Sequence, residues 1–326
     1  MIFRTLLQGI LAITLMELTP IDGAALEQAA KLPVAPGRSA LFAAFDAGGN
    51  SVGLPASADR YPKKIDEESL GIVTTAESVL VLDRESGLPL YQKNAESVRS
   101  IGSITKLMTA LVYLGESPDL GAPASVLPED YRVGGRLYLL MNDPVTAHDI
   151  FKTSLVGSDN SATMTLVRLS GLSLEEFVGK MNAKAVELGM DQTVFADPTG
   201  LTADNRSTAY DIVRLLTAAL AVPEIAEIVV LPEVVVTQGS GVTVTVPSTD
   251  DLLGSFINQD PYSILGGKTG YLPEAGYCIG LGIKREGAGD VFVVLLGSES
   301  KLTRVSEVKG LVDWAYRVFS WNVEQS

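Results

Sequence analysis

Three short groups of residues carry the chemistry of this chain. Ser103-Ile104-Thr105-Lys106 comes first, then Ser158-Asp159-Asn160, then Lys268-Thr269-Gly270. A serine hydroxyl is a poor nucleophile until a neighbouring base takes its proton. Lys106 lies three residues after Ser103, which on a helix puts the amine on the same surface as the hydroxyl. Lysine acts as a base only in its neutral form, and burial against Leu107 together with the like charge of Lys268 favours that form. The first turn of a helix also offers unpaired backbone N–H groups to a developing anion. The chemistry implied is acyl transfer through a serine ester, with no call on histidine. A Ser-x-x-Lys unit alone is expected roughly once by chance in a chain like this, so the inference rests on all three groups occurring in order.

The second and third groups each admit a plainer reading. Ser158 and Asn160 fall in a short loop after Gly157, between two predicted helices, where Ser, Asp and Asn commonly serve as a turn and an N-cap. The chemical reading gives Ser158 a proton to pass between Lys106 and a leaving amine. It gives the Asn160 amide a hold on the substrate carbonyl or on Lys106. Asp159 is left to cap the following helix. In the third group, Gly266, Gly267 and Gly270 keep a strand edge bare enough for an extended peptide. Lys268 and Thr269 then suit a terminal carboxylate, the alternative being a solvated lysine at a strand end. His148, the only histidine, sits in the first turn of a predicted helix with no nucleophile motif beside it. Cys278 alternates with Gly276 and Gly280 and reads as a small buried hydrophobe.

The elements that must position these groups follow from periodicity. Ser78–Leu82 and Leu88–Gln92 read as strands of a hairpin about the turn Asp83–Gly87. Ile104, Leu107, Met108, Leu111 and Val112 fall on one arc of a helix running from Ser103 to about Leu114. Helices are predicted over Ala147–Val156 with a Thr146/Asp149 capping box, Ser161–Leu169, Leu174–Leu188, and Ala209–Ala221 behind Thr208 and Asp211. Strand character then returns with a Val/Thr hairpin in Val234–Val246 and strands at Ser263–Tyr271, Gly276–Lys284 and Val291–Gly297, before a closing helix over Val305–Phe319. The order predicts an α+β fold in which an antiparallel sheet is built from both ends of the module around a helical insertion.

Composition narrows the partners. With 326 residues and 46% apolar content the chain can build a full core. A net charge of −14 opposes non-specific attraction to nucleic acid or an anionic lipid surface. A single cysteine excludes an intrachain disulfide and any multi-cysteine metal cluster. Residues 1–25 resemble a secretory signal: Arg4, an apolar run from Leu6 to Leu18, then Gly23, Ala24 and Ala25. Gln8 and Glu17 interrupt that run and leave it short of the ~20 residues of a spanning helix, so no strong membrane anchor is expected. An uncleaved anchor and an ordinary amphipathic N-terminal helix are the competing readings. Residues 26–75 are rich in Pro, Gly, Ala and Ser without a period and read as an extension or linker, which places the catalytic domain at 76–326.

With these residues in hand, the chain resembles the D-alanyl-D-alanine carboxypeptidase family of low-molecular-mass penicillin-binding proteins. The likeness runs from about Glu77 to Phe319 and is carried by the segment Arg99–Ala110, by Val145–Ile150, by Pro198-Thr199-Gly200-Leu201, by Ser207–Asp211 and by Gly267–Tyr271. It implies a β-lactamase/DD-peptidase-like fold and a serine acyl-enzyme acting on the D-Ala-D-Ala ends or cross-links of peptidoglycan stem peptides. It further implies acylation by β-lactams, no metal or cofactor, and an extracytoplasmic, periplasmic location after signal cleavage. On this resemblance Ser103 is the nucleophile, Lys106 the base, Ser158 and Asn160 the second catalytic element, and Lys268, Thr269, Gly270 and Tyr271 the substrate-binding side. The backbone amides of Ser103 and Tyr271 would form the oxyanion hole. The sequence stops just after its closing helix, which likens it to the small endopeptidase members. Two alternatives remain at this level. A class A β-lactamase shares the three groups but uses a glutamate in Glu-x-x-Leu-Asn, and no Leu-Asn dipeptide occurs here. A non-catalytic wall-binding homologue would keep the fold without needing Ser103, Lys106 and Lys268 intact.

Overall fold

The computed structural model describes residues 61–321. Five strands form one antiparallel sheet: β1 (Ser78–Asp83), β2 (Pro89–Lys93), β5 (Tyr262–Leu272), β6 (Gly276–Arg285) and β7 (Val291–Ser298), in the order β5-β6-β7-β1-β2. The hairpin β3 (Glu233–Thr237) and β4 (Thr243–Pro247) stands apart from it. Between β2 and β5 the chain is largely helical: α1 (Lys106–Gly115), α2 (Ala147–Val156), α3 (Asn160–Leu169), α4 (Leu174–Glu187), α5 (Ala209–Leu220) and α6 (Pro223–Ile228). The last helix, α7 (Lys301–Val318), closes the module. This is the α+β arrangement expected, with the sheet sewn from both ends: β1 pairs with β7 from Ser78↔Leu296 to Asp83↔Val291.

Strand alternation explains how the sheet is covered on both faces. Val79 and Val81 of β1 join Val293 and Leu295 of β7 and Ile279 and Leu281 of β6 in a core closed by Val308, Leu311 and Val312 of α7. The intervening Leu80, Leu82, Val294 and Leu296 are also buried, on the opposite face. There α5 comes close through the glycines of β6: a Cβ on Gly280 would lie 3.0 Å from Ile212, and one on Gly282 would lie 3.3 Å from Leu220. Each such fully buried aliphatic side chain is worth about 1.5–3 kcal/mol of transfer free energy.

Several boundaries differ from the sequence reading. The helix expected from Ser103 opens with a 3₁₀ turn, Gly102–Thr105, and becomes α-helical at Lys106. Gly102 sits at φ +52°, which tightens the entry into an i→i+3 turn. The closing helix begins at Lys301 rather than Val305, because the Ser300 hydroxyl caps the Thr303 N–H at 3.0 Å. The six-residue α6 has too little sequence for periodicity to show it.

The part of the 26–75 stretch that is described lies on the module. Lys63 and Lys64 pair with Ser320 and Phe319, and Trp314 Nε1 donates to Ser69 Oγ at 2.8 Å. Tyr91 Oη donates to the Ile72 carbonyl at 3.0 Å, and the Glu307 carboxylate accepts from the Thr75 and Ala76 amides. Backbone groups make most of these ties, so a segment with no hydrophobic period can still be pinned. The signal-like residues 1–25 and the start of the extension lie outside the described residues. Among those described, no helix is long and apolar enough to cross a membrane.

Candidate active site

The 3₁₀ turn and α1 bring Ser103 and Lys106 together, with Lys106 Nζ 2.9 Å from Ser103 Oγ. Lys106 is 1% exposed, among the largest fully buried side chains of the protein. Its Nζ lies 2.7 Å from Asn160 Oδ1 and 2.7 Å from the Thr199 carbonyl oxygen. Burial disfavours the ammonium and pushes the amine down to about 7, against the opposing pull of the Asp197 and Asp159 carboxylates. A neutral amine has two N–H bonds and one lone pair. Asn160 Oδ1 and the Thr199 carbonyl can only accept, so they take both N–H bonds and leave the lone pair directed at Ser103. The base is thereby oriented by its other two contacts.

Those two contacts are themselves held. Asp159 caps α3 through Ser161 N (2.8 Å) and Ala162 N (3.0 Å), and its other oxygen accepts from Tyr138 N at 3.0 Å. Asn160 Nδ2 donates to the Gly134 carbonyl at 2.7 Å, which fixes the amide with its oxygen toward Lys106. The Thr199 carbonyl rides on a turn gathered by the Asp197 carboxylate, which accepts from the amides of Thr199, Gly200 and Thr202. Asn205 braces the same turn, accepting from Ala196 N and Asp197 N and donating to the Thr105 hydroxyl. Ser158 follows Gly157 at φ +57° and is half-buried; its hydroxyl is not among the three partners of Lys106.

The other wall is β5, an edge strand of the sheet. Lys268 is 3% exposed, and its Nζ lies 3.3 Å from Thr249 Oγ1, which in turn lies 2.7 Å from Thr269 Oγ1. Burial first, then the charges of Lys106 and Arg304, push the Lys268 amine well below the ordinary lysine range, while Asp250 opposes them. Arg304, from the first turn of α7, is buried behind this group and donates to the Cys278 carbonyl at 3.2 Å. Sequence reasoning named neither Thr249 nor Arg304. Gly270 is required where it stands: a Cβ there would come 2.2 Å from the Ile101 oxygen and 3.1 Å from Ser103 N. A Cβ on Gly102 would meet Tyr271 N at 2.8 Å, so the backbone amides of Ser103 and Tyr271 belong to one narrow seam. Tyr271 is half exposed beside the seam, stacked on Tyr277 at 4.4 Å between ring centroids.

Residues 65–300 match the D-alanyl-D-alanine carboxypeptidase family over most of the chain. The chain belongs to that family. A D-alanyl-D-alanine endopeptidase of Pseudomonas aeruginosa is 33% identical over 242 residues, 73% of this chain and 76% of that protein. A D-alanyl-D-alanine carboxypeptidase of Bacillus subtilis is 28% identical over 263 residues, 78% of this chain and 66% of its own length. Among solved structures, cefotaxime-bound penicillin-binding protein D2 of Listeria monocytogenes superposes with a TM-score of 0.66 at 29% identity, covering 76% of this chain and 100% of that one. The protein is thus a serine-type DD-peptidase, a hydrolase acting on peptidoglycan.

In this DD-peptidase the two acids that act on Lys106 are both committed. Asp197 holds its turn and Asp159 holds a cap and the Tyr138 amide, so neither is free to activate a water. His148 sits at the start of α2 with its amide on the Leu120 carbonyl, and Cys278 is fully buried in β6 with its thiol pushed up to about 11 by burial. Among the described residues no group of His, Cys, Asp and Glu is arranged to hold a metal ion.

Proposed function

We propose that this DD-peptidase is an endopeptidase that opens D-Ala cross-links between stem peptides outside the cytoplasm, in the periplasm, and that it is acylated at Ser103 by β-lactams. The observation that carries the mechanism is the orientation of Lys106, whose lone pair is left for Ser103 by two acceptors that occupy its N–H bonds. Ser103 Oγ attacks the D-Ala carbonyl carbon and its proton passes to Lys106. The carbonyl oxygen develops its charge against the amides of Ser103 and Tyr271. The C–N bond then breaks, the proton reaches the leaving amine with Ser158 at hand to relay it, and water hydrolyses the ester with Lys106 again as base. Lys268, Thr269 and Thr249 offer one amine and two hydroxyls to a carboxylate on the leaving side, whose charge favours protonation of the amine.

The 33% identity to an endopeptidase supports the choice of bond. The engaged state of Asp197 and Asp159 supports slow release of a bound β-lactam over rapid hydrolysis, since both carboxylates that act on Lys106 are occupied by backbone amides. Purified cross-linked muropeptides, digested and identified by mass, test the reading. Separation of dimers into monomers is the expected result, whereas loss of a terminal D-Ala alone would make the enzyme a carboxypeptidase. A labelled penicillin should attach to the purified protein and fail to attach to Ser103→Ala; labelling of that variant would remove Ser103 from its role.

A further inference from the structure

The loop from Tyr131 to Leu140 passes in front of the second motif and is fastened to it at three consecutive residues. Tyr138 N donates to Asp159, the Gly134 carbonyl accepts from Asn160 Nδ2, and Arg132 N donates to Ser161 Oγ at 3.1 Å. Gly134 and Gly135 both have positive φ, and a Cβ on Gly135 would come 3.2 Å from Asn160 Nδ2. The backbone next to Arg136 therefore rests against the amide that orients the base. The side chain of Arg136 is exposed, with its guanidinium 4.9 Å from the centroid of the Tyr138 ring. That ring lies over Gly157, where a Cβ would be 2.8 Å from Tyr138 Cε2, so the cation is carried on an aromatic plate directly before Ser158.

Arg136 makes no ion pair among the described residues, whereas Arg84, Arg99, Arg168 and Arg214 each pair with a carboxylate. Arg132, on the same loop, turns its guanidinium onto the carbonyls of Glu129 and Tyr131 and also has no carboxylate partner among the described residues. Two uncompensated cations on one loop stand out in a chain with 39 acidic and 25 basic residues. Charges farther than about 8 Å are largely screened at physiological salt, so the loop and not the net charge sets the sign that a peptide meets there. The guanidinium fork, held flat by Tyr138, suits two-point binding of a carboxylate.

We propose that Arg136 forms an anion subsite for a backbone carboxylate of the stem peptide, separate from the carboxylate group at Lys268. The assignment of peptide as ligand rests on the DD-peptidase reading. Two stems can supply the group: the one that donates the acyl carbon, or the second stem of a cross-link. The test uses fluorescently labelled muropeptides, an uncross-linked pentapeptide and a cross-linked dimer, each with its internal carboxylates free or amidated. Binding is measured to Ser103→Ala and to Ser103→Ala carrying Arg136→Gln or Arg136→Lys, after melting curves show that all three fold. Arg136→Gln should weaken binding of a free-carboxylate peptide by about fivefold and leave its amidated counterpart unchanged. Arg136→Lys should recover part of the loss. A difference seen with the pentapeptide assigns the acyl-donor stem; one seen only with the dimer assigns the second stem. Equal binding of free and amidated peptides by the parent, or equal losses on both in Arg136→Gln, overturns the subsite. Cleavage of the dimer by the unsubstituted enzyme is scored separately, so failure to open cross-links would remove the endopeptidase reading alone.

Discussion

Lys106 is held between acceptors that leave it one productive direction, and its proton is lost near pH 7 because water has been excluded from it. Below that pH the ammonium dominates and the base is absent. Penicillin acylation should therefore rise about tenfold per pH unit up to about pH 7 and then level off, as stopped-flow labelling between pH 5 and 9 would show. Lys106→Arg keeps the charge but yields no proton at these pH values, so acylation should fall by about 10²–10⁴-fold; near-normal rates in that variant would place the base elsewhere. Ser103, Lys106, Asn160 and Lys268 were legible in the sequence because their chemistry belongs to their side chains. The Thr199 carbonyl was not, and the Tyr271 amide came only through the family resemblance, since every residue has such groups and only the fold selects which are used. Thr249 and Arg304 reach the site from segments far from the motifs, so no spacing announces them.

At the scale of elements, the site is a meeting of backbones that approach too closely for side chains. Gly200 sits at φ +82°, and a Cβ there would come 2.1 Å from the Gly102 oxygen and 2.9 Å from Ser103 N. Gly200→Ala should push the nucleophile's turn away from the Thr199 carbonyl. We expect at least a hundredfold loss of acylation together with a stability loss of about 1–3 kcal/mol, read by penicillin labelling and urea melts of the same sample. Retention of full labelling would show that the turn can move without harm. Elements with a strong pattern, such as the amphipathic α5 or the continuous apolar run of β1, were readable in advance. Their ends were set by local events that periodicity does not see, among them the positive φ of Gly102 and the Ser300 cap. The ties of residues 61–76 to Trp314 and Glu307 depend on single polar contacts, and those leave no pattern in composition.

For the molecule as a whole, two buried lysines make stability depend on pH in an unusual direction. The folded pKa of Lys106 lies near 7, below the ordinary value of 10.5, so between those values the unfolded chain binds more protons and stability rises with pH. Between pH 7 and 9 this lysine alone should add about 2 kcal/mol, and Lys268 shifts in the same sense. Lys106→Met should flatten that rise in denaturant melts across the same range; an unchanged slope would mean that the amine is not desolvated. The pairing of β1 with β7 bears on a different matter, the order in which the enzyme comes into being. The strand at Ser78–Asp83 pairs locally with Pro89–Lys93, but its second neighbour, Val291–Ser298, lies more than 200 residues further along the chain. Such distant closure is slow compared with local helix formation. A chain emerging from a ribosome or a translocation pore has its nucleophile early but lacks the β5–β6–β7 half of the sheet, and with it Lys268 and Tyr271, until residues 262–298 have followed. The hydrolase is thus silent in transit, and its activity begins with the arrival of its last strands.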